Sequence, residues 1–264
     1  MTTFVLGPDG TFSHELALRL KAPGIQLVPT IHRIFDAVGR GEGDGIVPIE
    51  NSEAGGVGAT LDGLTRQPVF ITGEMYMPID HHLAAYVPAS QLKKLYVHPQ
   101  THEQCSEEID RWGIPVVHTN SNAQSALNLR TDRTSGAIVS SFALTFYNLP
   151  VVREHVQNNP DNMTRFVRIS KDPSSNEKQA EKCSIIIDPS GDRTGLLHDL
   201  LAVFAVKKIN LTRIESRPSK RGIGTYVFFL DYAASPGYAD AITYLKTMTT
   251  IKELGCYTRI EVPE

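Results

Sequence analysis

The sequence is poor in cysteine and has no long apolar run. Three cysteines, Cys105, Cys183 and Cys256, occur in 264 residues, and no two of them form a Cys-x-x-Cys pair. Cysteines that are this few and this widely spaced suggest a reducing cytosol. Because no stretch approaches 18 consecutive apolar residues, the sequence predicts no membrane-spanning helix.

An excess of positive charge is also missing. The chain has 26 Lys and Arg against 29 Asp and Glu, which gives a formal net charge of -3. This balance provides no electrostatic basis for binding nucleic acid or an anionic membrane surface. The N-terminal segment MTTFVLGPDGTF has neither a basic start nor a long apolar run, so we predict no secretory signal. We therefore expect a cytoplasmic globular protein.

Three common nucleotide-binding and hydrolase motifs are absent. The glycine turn near the N-terminus is not followed by Gly-Lys-Ser/Thr, so it is not a P-loop. The segment GRGEGDG (39–45) lacks the Gly-x-Gly-x-x-Gly spacing of a dinucleotide site. Because no Gly-x-Ser-x-Gly surrounds Ser52, a hydrolase nucleophile elbow is not predicted.

A change in composition divides the chain. Residues 170–182, SKDPSSNEKQAEK, are almost free of apolar side chains and cannot support a core, so we place a domain boundary there. Before it, short apolar strands alternate with helical patterns, which predicts an α/β domain with mainly parallel strands. Residues 73–87, GEMYMPIDHHLAAYV, are predicted as one of these strands.

The C-terminal part predicts a ferredoxin-like βαββαβ domain. Its strands are expected at residues 183–188, 210–218, 225–232 and 256–262. Leu196, Leu200 and Phe204 share one face of a predicted helix, and Ala241 and Leu245 mark a second. Such a fold supports many functions, so the function has to be argued from specific residues.

Two segments near the N-terminus have the form of small-ligand sites. In the first, Thr11 and Ser13 follow a glycine turn and can cap a helix whose N–H groups would suit a carboxylate or phosphate. In the second, an apolar strand runs into Glu50, Asn51 and Ser52 and then into a glycine-rich loop. The alternatives are a capped turn that binds nothing and an ordinary surface loop.

The segment NNPDNMTRF (158–166) is rich in turn formers and ends in a hydroxyl, a cation and an aromatic ring. Asn, Pro and Asp favour tight backbone geometry, so we predict a loop of defined shape that presents Thr164, Arg165 and Phe166. The alternative is an ordinary connection before the predicted strand RFVRIS (165–170), with Arg165 merely solvated. His98, His102 and Cys105 lie at i, i+4 and i+7, but without an evident fourth ligand we predict no metal site.

Taken together, these segments resemble the prephenate dehydratase family along nearly the whole chain. The motifs GPDGTFSHELA, IVPIENSEAGGVGATLDGL, HPQTHEQC, NNPDNMTRF and IESRPS occur in the family's order. The resemblance implies a two-lobed catalytic domain, similar to a periplasmic binding protein, over residues 1–172. A linker (173–182) and a regulatory ACT domain (183–264) would follow. The chain departs from the family at Thr101-His102, where the usual residues are Ala-Leu, and we expect this to alter packing at the cleft.

The resemblance implies decarboxylating dehydration of prephenate to phenylpyruvate in L-phenylalanine biosynthesis, a lyase reaction that needs no cofactor and no metal. It places Thr164 against the ring hydroxyl, Arg165 on the side-chain carboxylate, and Glu50 as an upstream proton donor. The implied substrate-binding residues are Thr11, Phe12, Ser13, Asn51, Ser52 and Phe166. The residues expected to bind the effector are Gly195, Leu196, Asn210, Leu211, Glu215 and Ser216.

The expected partners are prephenate, the allosteric effector L-phenylalanine, and further copies of the chain in a homodimer or homotetramer. Two alternative functions stay open. One is the same chemistry on arogenate, whose side chain carries an amine. The other is a non-catalytic amino-acid sensor with a binding-protein-like domain.

Overall fold

A computed structural model describes residues 1–174, 179–189 and 191–263. Part of the predicted linker, residues 175–178, lies outside the described residues, as do Ser190 and Glu264 of the predicted C-terminal domain. Within the described ranges, no helix is long and apolar enough to cross a membrane.

The elements alternate along the first part of the chain and then follow a βαββαβ order. In the described ranges the strands are β1 (Thr3–Leu6), β2 (Ile25–Val28), β3 (Asp44–Asn51), β4 (Gly55–Gly56), β5 (Phe70–Pro78), β6 (His82–Ala85), β7 (Leu95–Val97), β8 (Val116–His118), β9 (Gly136–Val139), β10 (Val151–Arg153), β11 (Met163–Ser170), β12 (Lys182–Asp188), β13 (Leu211–Pro218), β14 (Tyr226–Ala233) and β15 (Thr250–Tyr257). The α-helices are α1 (Phe12–Arg19), α2 (Ile31–Gly39), α3 (Gly58–Arg66), α4 (Pro99–Gln104), α5 (Ser106–Trp112), α6 (Asn122–Thr131), α7 (Ser141–Tyr147), α8 (Leu196–Val206) and α9 (Tyr238–Met248).

The first lobe is built on a sheet of order β2-β1-β3-β11-β5, with β4 paired to β3. Strand β1 and the middle of β3 are apolar because side chains on both faces are buried. One face carries Val5, Ile46 and Phe166 against α1, and the other carries Val167 and Ile169. Strand β11 therefore lies in the middle of this lobe, hydrogen-bonded on both edges.

The second lobe has the sheet order β10-β6-β9-β7-β8. The chain enters it after β5 and returns to the first lobe before β11, so two crossings join the lobes. The crossings are tied together because the N–H of Val156 donates to the carbonyl of His81 over 2.8 Å. The single strand predicted for residues 73–87 is therefore wrong: β5 ends at Pro78, and β6 begins in the other lobe at His82.

Both sheets of the catalytic domain are mixed, whereas mainly parallel strands were predicted. Strand β1 is parallel to β2 and β3, and β7 is parallel to β8 and β9. Strand β11 is antiparallel to both of its neighbours, and so is β6. The reason is the double crossing between lobes, which brings the chain back into the first sheet in the opposite direction.

The C-terminal domain confirms the predicted βαββαβ order. Its antiparallel sheet has the order β13-β14-β12-β15, and α8 and α9 pack on one face around Leu200, Phe204 and Leu245. The position of the last strand was predicted wrongly. Strand β15 ends at Tyr257, because residues 250–257 pair with the whole length of β12.

The helix-free face of this C-terminal sheet packs directly on the first lobe. Ile186, Phe229 and Leu254 share one buried cluster with Leu64 and Ile71 of the catalytic domain. A continuous apolar core across the boundary means that the two domains stabilise each other.

Two of the three cysteines form a disulfide. Cys183 on β12 and Cys256 on β15 are bonded, with their Cα atoms 4.0 Å apart, while Cys105 is a buried free thiol. This corrects the expectation, drawn from spacing, that all three are reduced. The two residues lie 73 positions apart in sequence and become direct neighbours only through strand register.

A lysine of the C-terminal domain closes the carboxyl end of α3. The Nζ of Lys252 donates to the carbonyl oxygens of Leu64 at 2.5 Å and Gln67 at 2.6 Å, and it lies 3.3 Å from that of Thr65. The last carbonyls of a helix lack intrahelical partners and carry partial negative charge, so a cation there is favourable. Burial lowers the pKa of Lys252 from its ordinary value.

We expect Lys252→Met to lower the free energy of unfolding by about 1.5–3 kcal/mol, because charge-assisted hydrogen bonds across the domain boundary are lost. Urea unfolding followed by the fluorescence of the single tryptophan, Trp112, measures this change. Lys246→Met is the matched control, since Lys246 is exposed and forms an ion pair with the exposed Glu253 of its own domain. Equal effects of the two substitutions would contradict the capping role.

Candidate active site

A cleft of about 440 Å³ lies between the two lobes. Of the residues predicted for catalysis and substrate binding, Thr11, Phe12, Ser13, Asn51, Thr164 and Phe166 line it. Glu50, Ser52 and Arg165 do not belong to its lining. The cleft thus combines the early glycine turn, the end of β3 and the start of β11, which are far apart in sequence.

The glycine turn and α1 form one end of the first-lobe wall. Thr11 is the N-cap of α1, and its hydroxyl oxygen accepts from the N–H of His14 at 3.3 Å. Gly10 has a φ of +82°, and a Cβ there would overlap the ring of Tyr147 from the second lobe. A glycine is therefore required where the lobes approach each other. Thr11, Phe12 and Ser13 at the start of α1 all line the cleft, and the start of a helix favours an anionic ligand.

Asn51 organises the centre of the wall. Its Nδ2 lies 3.0 Å from Oγ1 of Thr164 and 2.7 Å from Oδ1 of Asn162. Its Oδ1 accepts from the backbone N–H groups of Glu53 and Ala54. Since the amide donates to Thr164, the Thr164 oxygen is an acceptor in this bond, and its hydroxyl hydrogen stays available to a ligand.

The second-lobe wall was missed by the sequence analysis. It is formed by residues that follow β7, β8 and β9 at their carboxyl ends: His98, Gln100, Asn120, Ser121, Asn122 and Ser140. This wall could have been predicted from the rule that ligands bind beyond the carboxyl ends of parallel strands. Polar residues directly after three short apolar segments matched that rule.

Thr101, where the chain departs from the family, supports this wall. Its buried hydroxyl donates to Oδ1 of Asn122 over 2.8 Å. Asn122 begins α6, which is capped because the hydroxyl of Ser121 accepts from the N–H of Gln124. With its oxygen held by Thr101, Asn122 has its NH₂ group left as the donor for a ligand in the cleft.

The cleft is neutral. Among its described lining residues there is no Lys, Arg, Asp or Glu, and the one titratable side chain is His98. Burial and the neighbouring His118 lower the pKa of His98 from its ordinary value. A negatively charged ligand would therefore be held by neutral N–H and O–H donors and by the starts of α1 and α6.

Arg165 lies on the opposite face of β11 from the cleft, which differs from the expected carboxylate clamp. Its Nε donates to Glu74 at 2.7 Å, its Nη1 to Asp231 at 2.5 Å, and its Nη2 to the Tyr257 hydroxyl at 2.9 Å. The physical reason is strand alternation, which directs Thr164 and Phe166 to one face and Arg165 to the other. Burial opposes the charged form, but Asp231, Tyr257 and Glu74 raise the pKa of Arg165 above its ordinary value.

Glu50 and Ser52 also differ from their expected places. The Glu50 carboxylate lies 3.3 Å from Nε of Arg213 and 3.6 Å from Nη1 of Arg165, on the side of the C-terminal domain. The Ser52 hydroxyl accepts from the N–H of Met163 at 3.0 Å, so it anchors the start of β11 instead of lining the cleft.

The predicted loop ends earlier than expected. Because β11 begins at Met163, residues 164–166 are strand residues paired with β3 and β5. The turn formers at 158–162 position the start of this strand, and Asn162 is fully buried against Asn51. The side chains of Thr164, Arg165 and Phe166 are thus fixed by a sheet, not by a loop.

Within the described part of the chain, one group of three side chains is close enough to hold a metal ion: Asp80, His82 and His155. The ring of His82 is already bonded at both nitrogens, because Nδ1 accepts from the N–H of His155 and Nε2 faces Asp80 and Ser141. Burial acts to raise the pKa of Asp80, but hydrogen bonds from His82 and Ser141 lower it to about 2. The group is a satisfied hydrogen-bond network, and we assign no metal to it.

The expected effector residues do not form one pocket within a chain. Gly195 and Leu196 lie at the start of α8, whereas Asn210 and Leu211 follow its other end. An 11-residue helix is about 16 Å long, so these pairs are well separated. Any site that uses all four needs a second copy of the domain.

The remaining two effector residues point to opposite faces of β13. Ser216 is exposed on the helix side. Glu215 faces the first lobe, where a Cβ added to Gly56 would overlap its carboxylate. Glu215 therefore contacts the glycine-rich loop of the catalytic domain, in contrast to its expected effector role.

Comparison with known proteins agrees with this architecture. Residues 3–174 match the family described as prephenate dehydratase, and residues 190–234 match the ACT domain. A prephenate dehydratase of Methanocaldococcus jannaschii is 34% identical over 233 residues, which are 85% of this chain and 85% of that protein.

Solved structures extend the similarity to the whole fold. The crystal structure of a prephenate dehydratase from Arthrobacter aurescens in complex with L-Phe has a TM-score of 0.88 at 30% identity, covering 98% of this chain and 90% of that chain. That of the enzyme from Staphylococcus aureus subsp. aureus Mu50 has a TM-score of 0.83 at 28% identity, covering 97% and 100%.

The fold and the cleft define a two-lobed, binding-protein-like catalytic domain that carries a C-terminal ACT domain. With its family match over residues 3–174, the chain belongs to the prephenate dehydratase family.

His81 lies behind the cleft, where the two crossings between the lobes meet. Its ring packs edge-on against Phe12, its Nε2 lies 3.0 Å from the Gln104 side-chain oxygen, and its Nδ1 has no partner among the described residues. Burial lowers the pKa of His81 to about 4. The folded protein therefore holds this ring neutral at pH values where an unfolded histidine is charged.

We expect stability to fall as the pH is lowered from about 6.5 to 4, because over that range the unfolded chain binds a proton at His81 that the folded chain does not. His81 contributes about 3 kcal/mol to the free energy of unfolding, and this contribution is fully present above pH 6.5. The value follows because each tenfold difference in proton affinity between the folded and unfolded states is worth about 1.36 kcal/mol. Urea unfolding at a series of pH values should give a flatter profile for His81→Gln than for the wild type. His32→Gln, at an exposed position, should leave the profile unchanged. A His81→Gln profile as steep as the wild type would contradict this assignment.

Proposed function

We propose that this chain is a prephenate dehydratase, a lyase that converts prephenate and one proton into phenylpyruvate, carbon dioxide and water. In this reaction the C–C bond to the ring carboxylate breaks, and its electron pair enters the ring as the ring hydroxyl leaves as water. Formation of the aromatic ring supplies the thermodynamic drive. The remaining task is to help hydroxide leave and to hold the ring away from bulk water.

The observation that carries this proposal is the hydrogen bond from Asn51 to Thr164 over 3.0 Å at the cleft wall. The amide occupies a lone pair of the hydroxyl oxygen, so the hydroxyl hydrogen is free to donate to the departing ring oxygen. A donor fixed in advance by a neighbouring group needs no reorganisation during the reaction. We assign Thr164 as the catalytic donor and Asn51 as the residue that orients it.

The neutral wall suits the two carboxylates of prephenate in different ways. The side-chain carboxylate needs only binding, which the donors at the starts of α1 and α6 provide. The ring carboxylate has to be lost, and a cation clamped on it would stabilise the ground state and oppose its departure. A cleft whose described lining lacks Lys and Arg meets both requirements.

Apolar side chains provide the surface for the ring. Phe12, Ile31, Val57 and Phe166 line the cleft beside Thr164. These side chains would exclude water from the diene and its leaving groups, which strengthens the hydrogen bond from Thr164.

The neutral lining also favours prephenate over arogenate. Arogenate carries an ammonium group, and a buried ammonium needs an acidic partner. No Asp or Glu belongs to the described lining of the cleft. Incubating the purified protein with each substrate, and measuring phenylpyruvate from prephenate and phenylalanine from arogenate, distinguishes the two. Absence of turnover with both would favour the non-catalytic sensor.

We expect Thr164→Ala to lower kcat by about 10²- to 10³-fold with little change in KM, because a donor used only in the transition state is lost. Thr164→Ser should keep most of the activity, since it keeps the hydroxyl. Thr72→Ala, on the neighbouring strand β5 and outside the cleft, is the control. A near-wild-type kcat for Thr164→Ala would remove Thr164 from catalysis.

We also propose that the ACT domain binds L-phenylalanine between two copies of the chain. The separation of Gly195 and Leu196 from Asn210 and Leu211 within one chain supports a shared site. Strand β13 lies at the edge of the ACT sheet, and the side chain of Ile214 on it is 47% exposed, which favours pairing with a second copy. An effector can regulate activity only if it binds one arrangement of the lobes or subunits better than another.

Calorimetry with L-phenylalanine should detect binding to the wild type. For Leu196→Asp the dissociation constant should rise at least about tenfold, since losing about 1.4 kcal/mol of apolar contact is enough for that factor. Light scattering should give the mass of a dimer or tetramer. If no phenylalanine binds, the ACT domain is a dimerisation element; if the protein is a monomer, the shared site is wrong.

A further inference from the structure

A cluster of buried charges joins the ACT sheet to the strand that carries Thr164. We define the Arg165 cluster as Arg165 and Glu74 of the catalytic domain together with Lys182, Asp231 and Tyr257 of strands β12, β14 and β15. Arg165, Glu74, Asp231 and Tyr257 are buried, and Lys182 is half-buried. The cluster lies on the face of β11 that is turned away from the cleft.

Every nitrogen of the Arg165 guanidinium has an anionic or phenolic partner. Glu74 accepts from Nε at 2.7 Å, Asp231 from Nη1 at 2.5 Å, and the Tyr257 hydroxyl from Nη2 at 2.9 Å. Lys182 adds a second cation, with Nζ 2.8 Å from both oxygens of Glu74. Within the cluster two cations therefore face two carboxylates, and the nearby Glu50, 3.6 Å from Nη1 of Arg165, has Arg213 as a second cationic partner.

The two partners from the ACT domain are themselves held in place. The Ser184 hydroxyl lies 2.5 Å from both Oδ1 of Asp231 and the hydroxyl of Tyr257. Charge-assisted hydrogen bonds of this kind are short and directional, so they fix the guanidinium plane relative to the ACT sheet. A guanidinium bound on three sides by buried partners is not a group free to turn toward a substrate.

The pairing of β11 with β3 is irregular next to Arg165. Because the Arg165 side chain is fixed by its partners, it can hold this part of the backbone in place. In the pairing of β11 with β3, Arg165 lies opposite Glu50 and Phe166 lies opposite Pro48, so Ile49 has no partner in this register. Bulges of this type re-aim side chains and increase local twist. Thr164 and Phe166 are the immediate neighbours of Arg165 and face the cleft, so the position of Arg165 sets the orientation of both.

The ACT sheet also contacts strand β3, which carries Asn51, the donor of the Asn51–Thr164 hydrogen bond. Arg213 of β13 lies 3.3 Å from Glu50, the residue before Asn51. Glu215 fills the space beside Gly56 of β4, the short strand that pairs with Glu50 and Asn51 of β3. The ACT sheet therefore contacts both of the strands whose side chains form the Asn51–Thr164 hydrogen bond.

We propose that Arg165 is a positioning residue, through which Asp231 and Tyr257 of the ACT domain hold the Thr164 hydroxyl in its catalytic orientation. This inference rests on the proposed dehydratase function. A shift of the ACT sheet moves Asp231 and Tyr257, and the displacement reaches Thr164 through one side chain. The ACT domain is thus part of the structure that makes the active site competent, in addition to its role as a sensor.

The test compares Asp231→Asn and Tyr257→Phe in the full-length chain with the control Asp62→Asn. Asp62 on α3 also pairs across the domain boundary, and its ion-pair partners among the described residues are Arg217 and Lys220 of the ACT domain, not residues of β11. We expect Asp231→Asn to lower kcat about 10- to 100-fold, the range typical of a small displacement of a catalytic group, with KM changed less than about threefold. Tyr257→Phe should lower kcat about three- to tenfold, and Asp62→Asn should leave both constants near the wild type.

A double substitution separates positioning from general destabilisation. If Asp231 acts through Thr164, then Asp231→Asn should have little further effect on kcat in a Thr164→Ala background. A purely structural defect would multiply the two losses. Circular dichroism identifies variants that fail to fold. If Asp231→Asn fails to fold, Tyr257→Phe, which removes a single oxygen, is combined with Thr164→Ala in its place.

Three results would overturn the inference. The first is wild-type kcat in folded Asp231→Asn and Tyr257→Phe. The second is a raised KM with unchanged kcat, which would return Arg165 to the role of a substrate ligand. The third is full multiplication of losses in the double variant. Failure of the proposed function is seen separately, as absence of phenylpyruvate from the wild type, and the inference falls with it.

Discussion

The alternation of side chains along β11 is the constraint on which the rest of this structure depends. Antiparallel partners hold this strand on both edges along most of its length. Its even-numbered residues Thr164 and Phe166 reach the cleft, and Arg165 between them reaches the ACT domain. The tripeptide 164–166 therefore belongs to two environments, one neutral and the other highly charged.

The separation of these environments explains how the protein can bind a dianion although no Lys or Arg belongs to the described lining of the cleft. Charged groups are concentrated behind the sheet, where each has partners of opposite sign. The cleft retains hydroxyl, amide and backbone donors, which bind carboxylates without favouring the ground state of the carboxylate that has to leave. The arginine thus contributes to the site through the backbone it holds.

The sequence predicted mainly those features that are recorded within one short stretch of residues. The domain order, the βαββαβ pattern and the residues Thr11, Asn51 and Thr164 follow from short motifs. The roles expected for Arg165 and Glu50 ignored strand alternation, a rule that was already available once residues 165–170 and the segment that runs into Glu50 were predicted as strands. The polar wall of the second lobe needed three separate strand ends to be assembled in space.

Other features had no local signal. The disulfide joins residues 73 positions apart, and only the antiparallel register of β12 and β15 makes them neighbours. The contact of Glu215 with Gly56 depends on how two domains pack, which no motif in either domain records. The family resemblance gave the order of the motifs but not which face of a strand each residue would occupy.

The central place of β11 also has a consequence for biosynthesis of the chain. The gap between β3 and β5 is filled by residues 163–170, which leave the ribosome only after the entire second lobe. Until then both of those strands carry open edges, and open edges invite pairing with other chains. The nascent first lobe therefore remains an incomplete sheet through the synthesis of about ninety further residues, a period in which chaperones would have most to protect.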